Sequence, residues 1–385
     1  MPAKNDCGRL GFRGEYGGRL MPSGLSPPCP TLPDAALPRA FEISSSMPCV
    51  GFSQCVCRQP TRRNTMTMSH WNRRDVLRLG GAAAAAWCCA GAGRASEGSS
   101  LKRALIGKPT KEYLERLKAA GFDGMESEWR NWKPSAADAA AAKAAAESMG
   151  LRIHSVLFGW ANFNKAESFD ADIRDVTAAL NGAAVLGADA LLLVPCRIGG
   201  MKMPEAWDFD IEFDEKTGHL TRVVKGDNSP YADYIAAHNK SVDDSRRAVE
   251  LLIPAAEKAG VVIALENVWN NLWVKPAVFA HFVRMFKSRW VKAYFDIGNH
   301  VKYAPPQEWL RALGDQIVKL HVKDFKLNDD GKGGKFVNIR DGSVDWPLVR
   351  REIDAIGYKG WLTIEGGDLS MEEHRRRLDA IIAGQ

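Results

Sequence analysis

From Leu101 onward, short apolar runs alternate with longer stretches in which apolar residues recur three and four positions apart. The runs have the length and β-branched content of buried strands, and the stretches have the period of helices packed by one face. Arg103–Ile106 predicts a first strand, and Thr110–Ala120 a helix with Tyr113, Leu114 and Leu117 on one side. Gly121–Glu126 predicts a second strand, after which Ser135 caps an Ala-rich helix that reaches Met149 and stops at Gly150. Arg152–Phe158 and Ala190–Pro195 are the third and fourth strands, with a helix over Ala171–Leu186 between them. Tyr234–Ala259 is a long helix ended by Gly260. Val261–Glu266, Val291–Asp296, Ile317–Val322 and Trp361–Glu365 complete the strands, with a last helix over Met371–Ala383.

Eight strand–helix units in residues 101–383 predict an α/β chain folded as a (β/α)8 TIM barrel, a fold of about 250 residues plus insertions. An open doubly wound sheet would need a glycine-rich phosphate turn after its first strand, and Leu105-Ile106-Gly107-Lys108-Pro109 is not one. The polar stretch 197–230 is too long for an ordinary connection. It reads as an insertion able to form a lid over a site.

Four of these runs end in a side chain that can ligate metal: Glu266, Asp296, His321 and Glu365. A charge at the end of a buried strand is costly unless something binds it. In a barrel, the C-terminal strand ends share one face, so the four are expected to converge on one divalent ion. Three carboxylates and an imidazole form a hard donor set that suits Mn²⁺ best. Mg²⁺, Co²⁺ or Zn²⁺ are alternatives.

Charge and cysteine divide the chain in two. Residues 1–96 hold 12 Lys and Arg against 5 Asp and Glu, which leaves 40 against 41 for the rest. A neutral body gives no electrostatic basis for a nucleic-acid partner. Cys196 is the only cysteine after residue 96, so the body forms no internal disulfide. Residues 1–67, rich in Pro, Gly and Ser, read as a disordered extension or as sequence before the true start. Residues 68–96 carry Arg73-Arg74, a short apolar run from Leu79 and the small residues Ala90-Gly91-Ala92. They resemble a twin-arginine signal peptide, which implies export to the periplasm or beyond and no stable membrane anchor after cleavage.

The motifs Phe295-Asp296-Ile297-Gly298-Asn299, His321-Val322-Lys323-Asp324, Asp341-Gly342-Ser343-Val344-Asp345-Trp346 and Gly357–Glu365 resemble the xylose-isomerase-like barrel superfamily. They are most similar to its sugar-phosphate isomerase/epimerase branch, which includes L-ribulose/L-xylulose 5-phosphate 3-epimerases and ketose 3-epimerases. The resemblance implies an isomerase acting on a small-molecule sugar, with Glu266, Asp296, His321 and Glu365 as ligands. Glu266 and Glu365 double as the acid/base pair that moves a proton through an enediolate. A lyase or dehydratase on 3-keto-sugars or inososes is the alternative within this fold, and a non-catalytic sugar-binding barrel a more distant one. The oligomeric state is open, a homo-oligomer included.

Further candidates for substrate contact surround the four. Glu126 after the second strand and His154 on the third face the mouth if the barrel register holds, with a structural role as the alternative. Trp160 and Trp269 follow strands and could stack on a sugar face. Asn299 stands where some epimerases carry a substrate-binding histidine, with His300 one position later. Lys323 and Arg340 could meet substrate oxygens or lie on the rim. Arg340-Asp341-Gly342 replaces the Gly-Glu-Gly common in the branch. N-terminal sequencing of the unprocessed product is expected to find Met66 or Met68 first; a start at Met1 would contradict the reading of the leader.

Overall fold

The computed structural model describes residues 101–385, so the extension and the twin-arginine segment lie outside the described residues. Eight parallel strands close into a barrel: β1 (Lys102–Gly107), β2 (Gly124–Glu128), β3 (Arg152–Trp160), β4 (Ala190–Val194), β5 (Val262–Glu266), β6 (Val291–Asp296), β7 (Ile317–Val322) and β8 (Trp361–Ile364). Each pairs with its neighbours in sequence, and β1 closes on β8 with Lys102 opposite Trp361. One helix follows each strand: α1 (Lys111–Ala119), α2 (Ala136–Ser148), α3 (Ala166–Leu186), α4 (Ala232–Ala259), α5 (Pro276–Met285), α6 (Pro306–Leu313), α7 (Trp346–Ala355) and α8 (Met371–Ile382).

The helix ends follow local chemistry. Thr110, Ser135 and Ser370 accept backbone N–H groups of the first turns of α1, α2 and α8. Gly187 and Gly260 end α3 and α4 in the left-handed conformation. Helix α3 starts at Ala166, earlier than its apolar period indicates, because Glu167, Ser168 and Asp170 interrupt the pattern around the packed Phe169.

Side chains alternate across each strand. Outward residues such as Ile263, Leu265, Phe295, Leu320 and Leu362 join the helices in one continuous core. Inward residues form a much smaller apolar cluster of Ala190, Leu192, Val194, Ala264 and Tyr294. Much of the barrel interior is therefore polar: Glu126, Ser155, His154, Lys319, His321 and Thr363 are all buried. Strand β2 runs to Glu128, so Glu126 lies within it and not after it. Its inward carboxylates had broken the apolar run that marks a strand.

Two excursions rise beyond the strands. Within 197–230, Glu212–Phe213 pairs with Leu220–Arg222 as a short ribbon, and Asn239 of α4 bonds both N–H and C=O of Leu220. A second ribbon pairs Asp324–Leu327 with Gly334–Val337. Lys332 of the second reaches over the ring of Trp207 in the first, 5.5 Å from its centre. Among the described residues, no helix is long and apolar enough to cross a membrane.

Barrel closure is tight at Gly124, where a Cβ would lie 2.1 Å from the Arg152 carbonyl oxygen and 2.8 Å from the Trp361 ring. Gly124→Ala is expected to cost about 1–3 kcal/mol. The readout is a lower urea midpoint at unchanged slope; an unchanged midpoint would contradict the packing described.

Candidate metal centre

Register and period together set the site. Asp296 pairs with His321 across β6 and β7, and Thr363 of β8 pairs with His321 from the other side. Glu365 lies two residues beyond Thr363, on the same inward face. One donor atom from each of Glu266, Asp296, His321 and Glu365 lies within 4.8 Å of all the others. His321 Nδ1 stands 2.9 Å from Glu365 Oε2, 3.3 Å from Glu266 Oε1 and 3.9 Å from Asp296 Oδ2.

Neighbouring residues hold each donor. Asn267 accepts the Asp296 N–H and donates to the Asp296 carbonyl, at 2.7 and 2.9 Å. Asp296 Oδ1 accepts the N–H groups of Gly298 and Asn299. Gly298 is required there, since a Cβ would lie 2.7 Å from the Lys323 backbone. Lys323 Nζ sits 3.1 Å from Glu365 Oε1, 3.3 Å from Asn299 Oδ1 and 3.7 Å from Asp296 Oδ2. On the far edge of the imidazole, His321 Nε2 is 2.6 Å from Glu126 Oε2.

The electrostatics show an unbalanced cluster. Burial raises Glu266 to about 7, with the nearby His321 opposing the rise. Burial also raises Asp296, to about 6, against the attraction of Lys323. Partial burial would raise Glu365 too, but Lys323 and His321 outweigh that and hold it well below the usual carboxylate range. For His321, burial alone would lower the pKa; Tyr294 and the surrounding carboxylates reverse it to well above the ordinary value. Asp296 Oδ2 has no hydrogen-bond partner although it is buried. An unpaired buried oxygen facing two carboxylates and a nitrogen is what a hard divalent cation would complete, so these residues fit one.

The other sequence candidates separate. Asn299 is in the site, donating to the Asn267 carbonyl at 3.0 Å and reaching toward Glu266 Oε1 at 3.4 Å. Lys323 is there too. His300 is not: its Nε2 meets the Val268 carbonyl at 3.0 Å, and its ring packs on Trp309, in the core. The single-residue step from Asn299 turns it away. His154 is two residues into β3, stacked on Trp361 and bonded to Thr363, below the mouth. A bulge in the β2–β3 pairing inserts it, so its depth is not legible from alternation alone.

The Arg340 side chain is exposed, and its backbone N–H holds Asp324. Asp324 also accepts Gly342 N–H and the Trp346 indole, and so anchors a loop. Glu126 faces His321 and not the opening. Trp160 is half-buried under Arg197 and lines a cavity of about 450 Å³ with Trp129, Arg130, Phe158 and Glu365. Trp269 donates its indole N–H to the Asn299 carbonyl and lies under Lys302. The contributions of Asn267, Ser155 and Tyr294 were not anticipated. Tyr294 alone carried a signal, being two positions before Asp296 on the same face.

A family model described as xylose isomerase-like TIM barrel matches residues 114–381. No curated protein matches the sequence. Among solved structures, the chain is similar to a 3-keto-D-glucoside 4-epimerase from E. coli at 14% identity and a TM-score of 0.54, covering 74% of this chain and 99% of that one. A D-tagatose 3-epimerase-like protein aligns at 16% identity and 0.56, over 74% and 97%. A D-psicose 3-epimerase aligns at 15% and 0.52, over 74% and 100%. At such identities the structural likeness carries the fold.

Adding Mn²⁺ to chelator-stripped protein at about a hundred times its Kd should stabilise it by about 2.7 kcal/mol, read by thermal unfolding. Asp296→Ala should abolish the response. Equal melting curves for stripped and Mn²⁺-treated wild type would contradict the assignment.

Proposed function

This chain belongs to the xylose isomerase-like TIM barrel family, and from that premise we propose that it is a divalent-metal-dependent sugar isomerase or epimerase. The observation that carries this reading is the convergence of Glu266, Asp296, His321 and Glu365 at the barrel mouth, with Glu365 bordering the cavity. When bound, a divalent ion, Mn²⁺ by preference, supplies Lewis-acid polarisation of the substrate's carbonyl and hydroxyl oxygens.

The chain's own groups supply the proton movement. Glu266 and Glu365 flank the space between them, and one takes the proton from the carbon beside the carbonyl. The other returns a proton to the opposite face of the resulting enediolate. Lys323, held 3.1 Å from Glu365, keeps that carboxylate oriented and its charge balanced. Asn299 orients toward Glu266. Trp160, half-buried at the rim, supports a sugar face, and Arg130 and Asn131, bonded to the Phe158 and Trp160 carbonyls and to Glu128, line the same cavity. With the Arg73-Arg74 leader supporting export, an unphosphorylated ketose or keto-sugar is the substrate class this reading favours.

The test is a panel of unphosphorylated ketoses and 3-keto-glycosides with added Mn²⁺, followed by NMR in D₂O. Solvent deuterium is expected at the carbon beside the carbonyl of recovered sugar. Release of water or an aglycone would instead mark a lyase. Glu365→Gln should lower turnover by about 10²–10⁴-fold with the fold retained; near-wild-type turnover would sink the mechanism.

A further inference from the structure

We infer that Glu126 is the positioning residue of the metal centre, fixing which imidazole nitrogen of His321 faces the cluster. The inference rests on the reading of that cluster as a divalent-metal site. Glu126 comes from β2 and His321 from β7, 195 positions apart in sequence, and they meet inside the barrel with both side chains fully buried. Glu126 is not one of the converging donors. It lies across the imidazole from them: its Oε2 is 2.6 Å from Nε2, whereas Glu266 and Glu365 approach Nδ1.

The hydrogen-bond roles follow from what each group can do. Ser155 Oγ donates to Glu126 Oε1 at 2.8 Å, which leaves Oε2 as the acceptor for the ring. A carboxylate only accepts, so Nε2 must carry the proton it gives. A cation bound among Glu266, Asp296 and Glu365 would then take the place of the proton on Nδ1 and leave the Nε2 proton on Glu126, as a ligating imidazole needs. The Tyr294 ring, 4.3 Å from the imidazole ring, limits its tilt. The Tyr294 hydroxyl is itself held near Ser155 and Thr363, at 3.5 and 3.4 Å. A buried carboxylate is expensive, and a neutral residue of the same shape would fill this space at less cost. What the charge adds is a fixed tautomer and a more basic Nδ1.

Calorimetric Mn²⁺ titration of chelator-stripped wild type, Glu126→Gln and Ser155→Ala tests this, with near-UV circular dichroism as the fold control. Glu126→Gln should bind Mn²⁺ about 10–100-fold more weakly, and Ser155→Ala should lose less in the same direction. In ¹⁵N-histidine spectra of the Zn²⁺-loaded wild type, the His321 proton should sit on Nε2. A folded Glu126→Gln whose Kd stays within about twofold of wild type, or a proton found on Nδ1, overturns the inference. If Glu126→Gln does not fold, Ser155→Ala and the wild-type spectrum decide. Failure of wild type to bind Mn²⁺ would instead overturn the metal-centre reading itself.

Discussion

The cost of keeping three carboxylates together in a nearly dry barrel mouth governs the arrangement around them. Each buried ion forfeits hydration worth on the order of several kcal/mol, and three of one sign add mutual repulsion. The protein offsets part of this with His321 and Lys323, and with the backbone N–H groups that Asp296 Oδ1 accepts. The compensation stops short: burial still raises Glu266 and Asp296, and Asp296 Oδ2 has no partner. A dipositive cation would relieve the repulsion and give the unpaired Asp296 oxygen a partner at once.

Barrel closure makes such a cluster attainable. With side chains alternating by two, Lys319, His321 and Lys323 line up along β7, as do Trp361, Thr363 and Glu365 along β8 and its end. The lower interior is sealed by Trp361 stacked on His154 and by Lys319 paired with Asp189. Above that floor, Thr363, Tyr294, Ser155 and Glu126 form a linked polar column that ends on His321. Donors mounted on strands and braced from below move less than donors on loops, which a metal site with few permitted geometries requires.

The barrel and the four donors were legible because both are written as local contrast: an apolar run, then a charge. Where a polar residue lies inside a run, the same rule misleads. Glu126 looked like the end of β2 because its carboxylate broke apolarity, although it is the strand's inward residue. His154 needed the bulge, and His300 the turn after Asp296, to be assigned; neither feature alters composition. Arg340 acts through its backbone N–H, to which its side-chain chemistry gives no clue. The ribbon over 324–337 was hidden because its strands are only four residues long: Asp324 and Phe325 are buried side by side while residues 334–336 are exposed, so no period of two runs along it.

The two halves of the mouth differ in what they offer. Strands β5 to β8 bring the donors, whereas the cavity is walled by residues at the ends of β2 and β3, with Glu365 common to both. Glu365 keeps 29% of its side-chain surface exposed and Glu266 only 8%. On the proposed reading, a sugar enters over Glu365 and advances toward Glu266, with its outer part beside the half-buried Trp160. On the same reading the proposed proton-moving pair would also form a gradient of access, with Glu365 open to solvent and Glu266 nearly closed off. Selectivity would then be tuned by the β2 and β3 ends without disturbing the donors, because the shared boundary is a single side chain held by Lys323.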